Sequence, residues 1–255
     1  MTALSTWSCD SHQHRGVSHP IYRKGEGPGI VVVHEVPGLT GPVIAFGEEL
    51  VEAGYTVVLP HLFGRVEDTV SIPRAAQVLA GLCINREFNV WRSGRTSPVV
   101  SWLRDLARRL HEELGGPGVG ALGMCLTGGF ALAMYVDPSV IAPVLAQPSA
   151  PLPVGRRRAA DLGMDPAEVE VVRDRCAKGG QALGLRYRSD PAVGTRFETL
   201  SRTLGKGFLR VELDGKGHST LTNERDPEAV EAVLDFFGRQ LRGAGGPDTD
   251  QVTHG

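Results

Sequence analysis

The chain carries four cysteines, and Cys125 alone stands in a setting that would activate one. In the stretch GALGMCLTGGFALAM (120–134), an apolar run ends at Gly123-Met124, Cys125 follows, and small residues open a helix-forming segment. A strand that turns sharply into a helix at a nucleophile needs small neighbours, because larger side chains crowd the turn. Gly123 meets that need on one side. On the other, Thr127 stands where glycine is commoner, with Gly128-Gly129 directly after it. The start of the helix points free N–H groups and a positive dipole end at the sulfur, which favours a thiolate and a developing oxyanion. A small buried core thiol is the competing reading, and it is the one kept for Cys9, Cys83 and Cys176.

A thiol of this kind needs a base, and the base needs an acid to orient it. At an elbow these follow in the chain order nucleophile, acid, histidine. Beyond Cys125 the histidines are His218 and His254, and His254 lies in the terminal segment GAGGPDTDQVTHG. His218 sits in ELDGKGHSTLT, directly after a strand-like run and before the last helix, where sheet enzymes place catalytic groups. Asp190, in RYRSDPAVG, holds the intermediate position, although Asp-Pro-Ala also suits a helix N-cap. Asp214 is the rival, but it shares a turn with His218 and is better placed to end the strand. Asp161, Asp165 and Asp174 precede the strand in question.

These residues must be positioned by a larger pattern. GIVVVHE (29–35), YTVVLP (55–60), VGALGM (119–124), VIAPVLA (140–146), QALGLRY (181–187) and GFLRVEL (207–213) read as strands. Helical stripes fall between them at 42–53, 97–114, 129–136, 166–178 and 192–203, with a last helix from 226 or 227 to 241. The alternation predicts an α/β domain over 19–242, with a mostly parallel sheet and helices on both faces. Residues 1–18 are polar and aperiodic and are expected to be a flexible tail, as are 243–255. Cys9, His12 and His14 fall in the first of these without completing a metal-ligand set.

Composition narrows the partners. With 27 Lys and Arg against 29 Asp and Glu, a net charge of −2 gives no electrostatic reason to expect nucleic acid or an anionic membrane. No apolar run is long enough to span a bilayer, and MTALSTWSCDSHQHRG lacks the apolar core of a signal peptide, so a cytoplasmic location is expected. A chain of 255 residues with 41% apolar content can build its core without disulfides, so the thiols are expected to be free.

Taken together, VVHEVPGL (32–39), GYTVVLPHLFGR (54–65), GMCLTGG (123–129), the aspartate of RSDP and the histidine of GKGHS resemble the dienelactone hydrolase family. That family is a Cys-His-Asp branch of the α/β-hydrolase fold, and the resemblance runs over about residues 28–240. It implies Cys125 as nucleophile, His218 as base and later acid, and Asp190 as orienter of the imidazole. Glu35 matches the family's glutamate after the first strand, which contacts the thiol. A carboxylate at the end of a buried apolar strand needs a partner on physical grounds as well. The backbone N–H groups of Val36 and Leu126 would form the oxyanion hole. His34 is given no role.

One departure bears on the substrate. The family carries an arginine four residues after the histidine, which grips a substrate carboxylate, and here that residue is Thr222. Threonine cannot imitate a bidentate guanidinium. Arg86, Arg92 and Arg95 are candidates for a second family arginine, in a 63–97 loop expected to cover the pocket. Phe88 and Trp91 would supply apolar walls, Trp102 is expected to pack, and Arg156-Arg157-Arg158 to be solvated. The expected activity is hydrolysis of a small-molecule ester or lactone through a thioester, without metal or organic cofactor, by a monomer or small homo-oligomer. Acyl transfer, cyclisation or isomerisation at the same site is the alternative, since one fold hosts many reactions. A non-catalytic binding protein on a hydrolase fold is the third reading.

Overall fold

The computed structural model describes residues 3–85, 87–88 and 91–242. In chain order the elements are β1 (Ser8–His14), β2 (Val17–Lys24), β3 (Gly29–Val33), α1 (Gly41–Glu52), β4 (Thr56–Pro60), α2 (Ile72–Ile84), α3 (Val99–Leu114), β5 (Val119–Met124), α4 (Gly128–Met134), β6 (Val140–Ala146), α5 (Gly155–Ala159), α6 (Pro166–Ala177), β7 (Ala182–Tyr187), α7 (Arg196–Leu204), β8 (Phe208–Leu213) and α8 (Pro227–Leu241). The strands form one sheet in the order β1-β2-β4-β3-β5-β6-β7-β8. From β4 to β8 every pairing is parallel, whereas β2 runs antiparallel to both β1 and β4.

The apolar run of β3 explains why it lies in the middle. All five of its residues are buried. Side chains alternate across a strand, so Ile30 and Val32 join the core under α1 and α8, with Phe46, Leu50, Val233 and Phe237. Val31 and Val33 join the core on the opposite face, with Leu103, Leu106, Phe130 and Phe197. A strand covered on both sides has no polar face to show, which is why it reads as a continuous hydrophobic run. The expected strands and main helices form at the expected places, and the parallel strands end together where Cys125, Asp190 and His218 must meet.

The N-terminus corrects the sequence expectation. Residues 1–18 are not all tail, because Ser8–His14 and Val17–Lys24 pair as an antiparallel hairpin. Its turn places Arg15 (φ 50°) and Gly16 (φ 81°) in the left-handed region, the geometry of a tight hairpin turn. Most of β1 is exposed, so its sequence carries no apolar alternation. Its burial comes from elsewhere. Trp7 packs into the α1 side of the core and donates its indole N–H to Glu48 at 2.6 Å. His12 lies edge-on against Trp102, at 5.0 Å between ring centroids.

A second correction concerns 63–97. This segment is not a plain loop, since Ile72–Ile84 is helical, with Ser71 as N-cap and Pro73 in the first turn. Arg156, Arg157 and Arg158 lie on the short α5, and none of that helix is buried. The expected 243–255 tail lies outside the described residues. Among the described residues no helix is long and apolar enough to cross a membrane.

Candidate active site

The elbow forms where β5 ends. Cys125 has φ 55°, a left-handed conformation that a non-glycine residue adopts only under strain from its surroundings. Its neighbours must be small. A Cβ on Gly123 would stand 2.2 Å from the Thr127 carbonyl oxygen, and one on Gly128 would stand 2.7 Å from the Cα of Pro148. Thr127 is tolerated because its hydroxyl is fully used. It accepts from the Met124 N–H at 3.0 Å, and the carbonyls of Val33 (3.0 Å), His34 (3.1 Å) and Met124 (2.9 Å) surround its single proton. Thr127 therefore ties the elbow, which carries Leu126, to the end of β3, which leads to Val36.

His34 reinforces that strand end. It is wholly buried, its Nδ1–H donates to the Glu35 carbonyl at 3.1 Å, and its Nε2 accepts from the Leu62 N–H at 3.1 Å. Burial pulls its pKa down to about 3, so the ring is neutral and its tautomer is set by these two bonds.

His218 comes from the loop between β8 and α8. Its Nδ1–H donates to Asp190 Oδ2 at 2.7 Å, and the Cys125 thiol is near enough to the ring to act on its proton affinity. Burial works against an imidazolium here. The hydrogen bonds to Asp190 and Cys125, with the negative charge of both, outweigh it and the ring is pushed up to about 11. The side chain of Asp190 is 2% exposed, and its second oxygen accepts from the Ala192 N–H at 2.9 Å. One oxygen thus faces His218 and the other closes a turn, and because α7 begins at Arg196 with Thr195 as its N-cap, the expected helix N-cap role of Asp190 is corrected. The rival Asp214 faces solvent and pairs with Arg188 at 3.1 Å.

Glu35 is buried near the base rather than on the thiol. Its carboxylate accepts from the hydroxyl of Thr222, from Ser219 Oγ at 3.1 Å and from Gln147 Nε2 at 3.3 Å. Burial pushes its pKa above the usual carboxylate range, while the hydrogen bond from Thr222, the charge of His218 and the bonds from Ser219 and Gln147 pull the other way. Gln147 Oε1 in turn accepts from Thr220 Oγ1 at 2.7 Å. This network joins the ends of β3 and β6 to the loop that carries His218. It corrects two expectations. The hydrogen bonds of Glu35 go to Thr222, Ser219 and Gln147, not to Cys125. Thr222 is buried and occupied by Glu35, so it does not face a substrate.

The arginine and aromatic candidates separate similarly. Arg95 lines a cleft beside Leu126, with Phe88, Ser97, Phe130 and Ala150, although it is largely exposed and pairs with Asp165 at 3.4 Å. Trp91 is exposed, lies outside that cleft and carries the Arg158 guanidinium 5.4 Å from its ring centroid. Arg92 is exposed, and Arg86 lies outside the described residues. Phe88 is buried in the core beside that cleft, and Trp102 packs between His12 and His19. Among the described residues no three His, Cys, Asp or Glu side chains are grouped so as to hold a metal ion.

Two contributions escaped the sequence. The Ser149 hydroxyl lies 3.4 Å from the Cys125 sulfur. The Gln147–Glu35–Thr222 network was also missed. The available signal for both was position, because Gln147 and Ser149 directly follow a parallel strand, at the end of the sheet where ligands bind.

Comparison with known proteins agrees with the fold. The model of the "Dienelactone hydrolase family" matches residues 18–156. A Saccharomyces cerevisiae protein described as "Putative carboxymethylenebutenolidase" is 28% identical over 239 residues, covering 87% of this chain and 83% of its own. The crystal structure of a dienelactone hydrolase from Anabaena variabilis superposes with a TM-score of 0.63 at 18% identity, covering 92% of this chain and 98% of that one. A cold-adapted esterase from an Arctic intertidal metagenomic library gives 0.60 at 15% identity, over 91% and 93%. The two structural likenesses establish the α/β-hydrolase fold, and the family match extends over half of the chain. The chain belongs to the dienelactone hydrolase family, and its activity is that of a carboxylic ester or lactone hydrolase.

Proposed function

We propose that hydrolysis proceeds through Cys125 and a thioester acyl-enzyme. The observation that carries this is His218, whose Nδ1 meets the buried Asp190 at 2.7 Å and whose proton affinity both Asp190 and Cys125 raise. A ring pushed up to about 11 by those neighbours takes the thiol proton and holds an imidazolium beside a thiolate. The thiolate attacks the carbonyl carbon, and the carbonyl electron pair moves to oxygen. The N–H groups of Val36 and Leu126 would stabilise that oxyanion. When the tetrahedral species collapses, the leaving alkoxide takes the proton from His218. The sulfur is now an uncharged thioester, so one influence that raised His218 has gone. The neutral ring can then take a proton from water, whose oxygen attacks the thioester and releases the acid.

The substrate we infer is a neutral ester or lactone. Thr222 stands in place of an arginine and is engaged by Glu35, and Arg95 beside Leu126 is already paired with Asp165. No guanidinium is thus held in reserve beside Cys125 by these residues.

Turnover of an activated ester and a neutral lactone by Cys125→Ala and His218→Ala tests the reading. Each is expected to lose about 10⁴-fold or more in kcat with its thermal midpoint close to the parent's. A quenched reaction of the parent should carry the acyl mass on the Cys125 peptide, and labelled water should appear in the released acid. Parent-like turnover in either folded variant defeats the mechanism. An unlabelled product would instead point to acyl transfer or isomerisation.

A further inference from the structure

Ser149 occupies a place that the mechanism above leaves unused. It sits just beyond β6 and is 4% exposed. Two contacts hold it against the elbow. Its N–H donates to the Cys125 carbonyl at 2.9 Å. The preceding Pro148 approaches Gly128 so closely that a Cβ there would meet the Pro148 Cα at 2.7 Å. Gln147, one residue further back, is anchored by its own N–H to the Leu185 carbonyl at 2.7 Å. The backbone therefore presents the Ser149 hydroxyl to one place, and there it meets the Cys125 sulfur at 3.4 Å.

A buried hydroxyl without a partner is costly. A thiol is a weak acceptor, whereas a thiolate is an ionised one and takes a much stronger hydrogen bond. The geometry points to Ser149 as a further catalytic residue, whose hydroxyl donates to the Cys125 sulfur and holds it as the thiolate that attacks the carbonyl. This rests on Cys125 being the nucleophile. The proton balance is simple. The thiol proton goes to His218, and Ser149 keeps its own proton and donates it to the sulfur. When the sulfur lone pair forms the bond to carbon, the charge leaves sulfur and the hydrogen bond weakens. Ser149 thus favours the attacking state more than the acyl-enzyme. The charged and titratable groups nearest this sulfur are His218 from the β8–α8 loop and Asp190 behind it from the β7–α7 loop, with Glu35, which feels the charge of His218, further off at the end of β3.

The consequence for reactivity has two opposing parts. Losing a charge-assisted hydrogen bond should disfavour the thiolate, so the thiolate fraction on the acid side falls about ten-fold. Each thiolate is then more basic and about three-fold more nucleophilic. Ser149→Ala should therefore alkylate about three-fold more slowly than the parent on the acid limb and about three-fold faster on the alkaline plateau. The two curves cross. A purely structural loosening of the elbow would shift reactivity in one direction at all pH values.

The experiment is the rate of iodoacetamide alkylation against pH, read on the Cys125 peptide by mass spectrometry so that Cys9 and Cys83 do not contribute. Ser149→Thr, which keeps the hydroxyl, should restore the parent's limb. Crossing curves with threonine rescue support Ser149. Superimposed parent and alanine curves overturn it while leaving Cys125 as nucleophile. If instead alkylation of the parent Cys125 leaves turnover intact, the nucleophile itself is misassigned and Ser149 falls with it.

Discussion

His218 and His12 each place a ring nitrogen on an aspartate oxygen, at 2.7 Å to Asp190 and 3.0 Å to Asp105. The two pairs behave oppositely. His218 is pushed up to about 11, whereas burial pulls His12 below 6.5 despite its carboxylate. The difference lies in the company each carboxylate keeps. Asp190 is sequestered and spends its other oxygen on a single backbone N–H. Asp105 also serves His14 at 3.3 Å and Arg108 at 3.2 Å, and Arg109 and His14 repel a proton on His12. The second ring nitrogens differ as well. That of His218 faces a thiol able to surrender a proton, while His12 Nδ1 is buried without a hydrogen-bond partner. Protonating His12 would strand an N–H, whereas protonating His218 completes an ion pair. A histidine–aspartate contact becomes an acid–base device only where the carboxylate is undivided and the far nitrogen has a reactant to serve.

The sharpest way to break this comparison is to remove each ring. His218→Ala should cost about 10⁴-fold or more in kcat on an activated ester. His12→Ala should stay within about two-fold while lowering the thermal midpoint, because it deletes a buried ring packed on Trp102. A comparable catalytic loss in both would mean that the hairpin seam reaches the chemistry.

The aspartates come next in size. Asp190→Asn keeps the shape but presents the wrong hydrogen-bond character to His218 Nδ1, and about 10²- to 10⁴-fold in kcat should go. Asp105→Asn should leave turnover within about two-fold. Steady-state kinetics on one ester, run for both variants, decides between divided and undivided carboxylates as the relevant distinction.

A smaller effect is expected where the elbow uses a single side chain as a staple. Thr127→Val keeps the shape but leaves the Met124 N–H and one carbonyl among Val33, His34 and Met124 without a partner. That should cost about 1–3 kcal/mol of stability and about ten-fold in kcat as the elbow loosens from the end of β3. Thr127→Ser should recover both. A valine variant with parent kinetics and a lowered midpoint would restrict Thr127 to stability.

The outcome tracks which signals are local. The gathering of Cys125, Asp190 and His218 at one end of the sheet was legible because each follows a strand, so strand ends and chain order together located them. Trp102 was rightly expected to pack for the same reason, being on a strongly patterned helix. The hairpin was not legible, because β1 shows solvent nearly all of its side chains and borrows its burial from Trp7 and Trp102. Glu35 was found but its partners were not. Gln147, Ser219 and Thr222 are ordinary polar residues in sequence and become a hydrogen-bond set only when three chain segments meet. Ser149 belongs to the same class.

The smallest expected effect is on stability against pH, and the two histidines should give it opposite signs. Below 6.5 both folded and unfolded chains hold the His218 proton, and its contribution is fully present. Between 6.5 and about 11 the unfolded chain releases that proton first, so stability falls as pH rises. His12 works the other way. Above 6.5 neither state is charged at this ring, and as pH drops below 6.5 the unfolded chain takes up a proton that the folded chain resists. Stability then falls with acid. Thermal midpoints from pH 5 to 9 should therefore show His218→Gln flattening the alkaline decline and His12→Gln flattening the acid one, each by a few degrees. The acid side should flatten only in part, because burial lowers His19, His34 and His61 as well. An acid slope that His12→Gln leaves untouched would assign it to those three rings. An alkaline slope untouched by His218→Gln would deny the ion pair that separates the two regions.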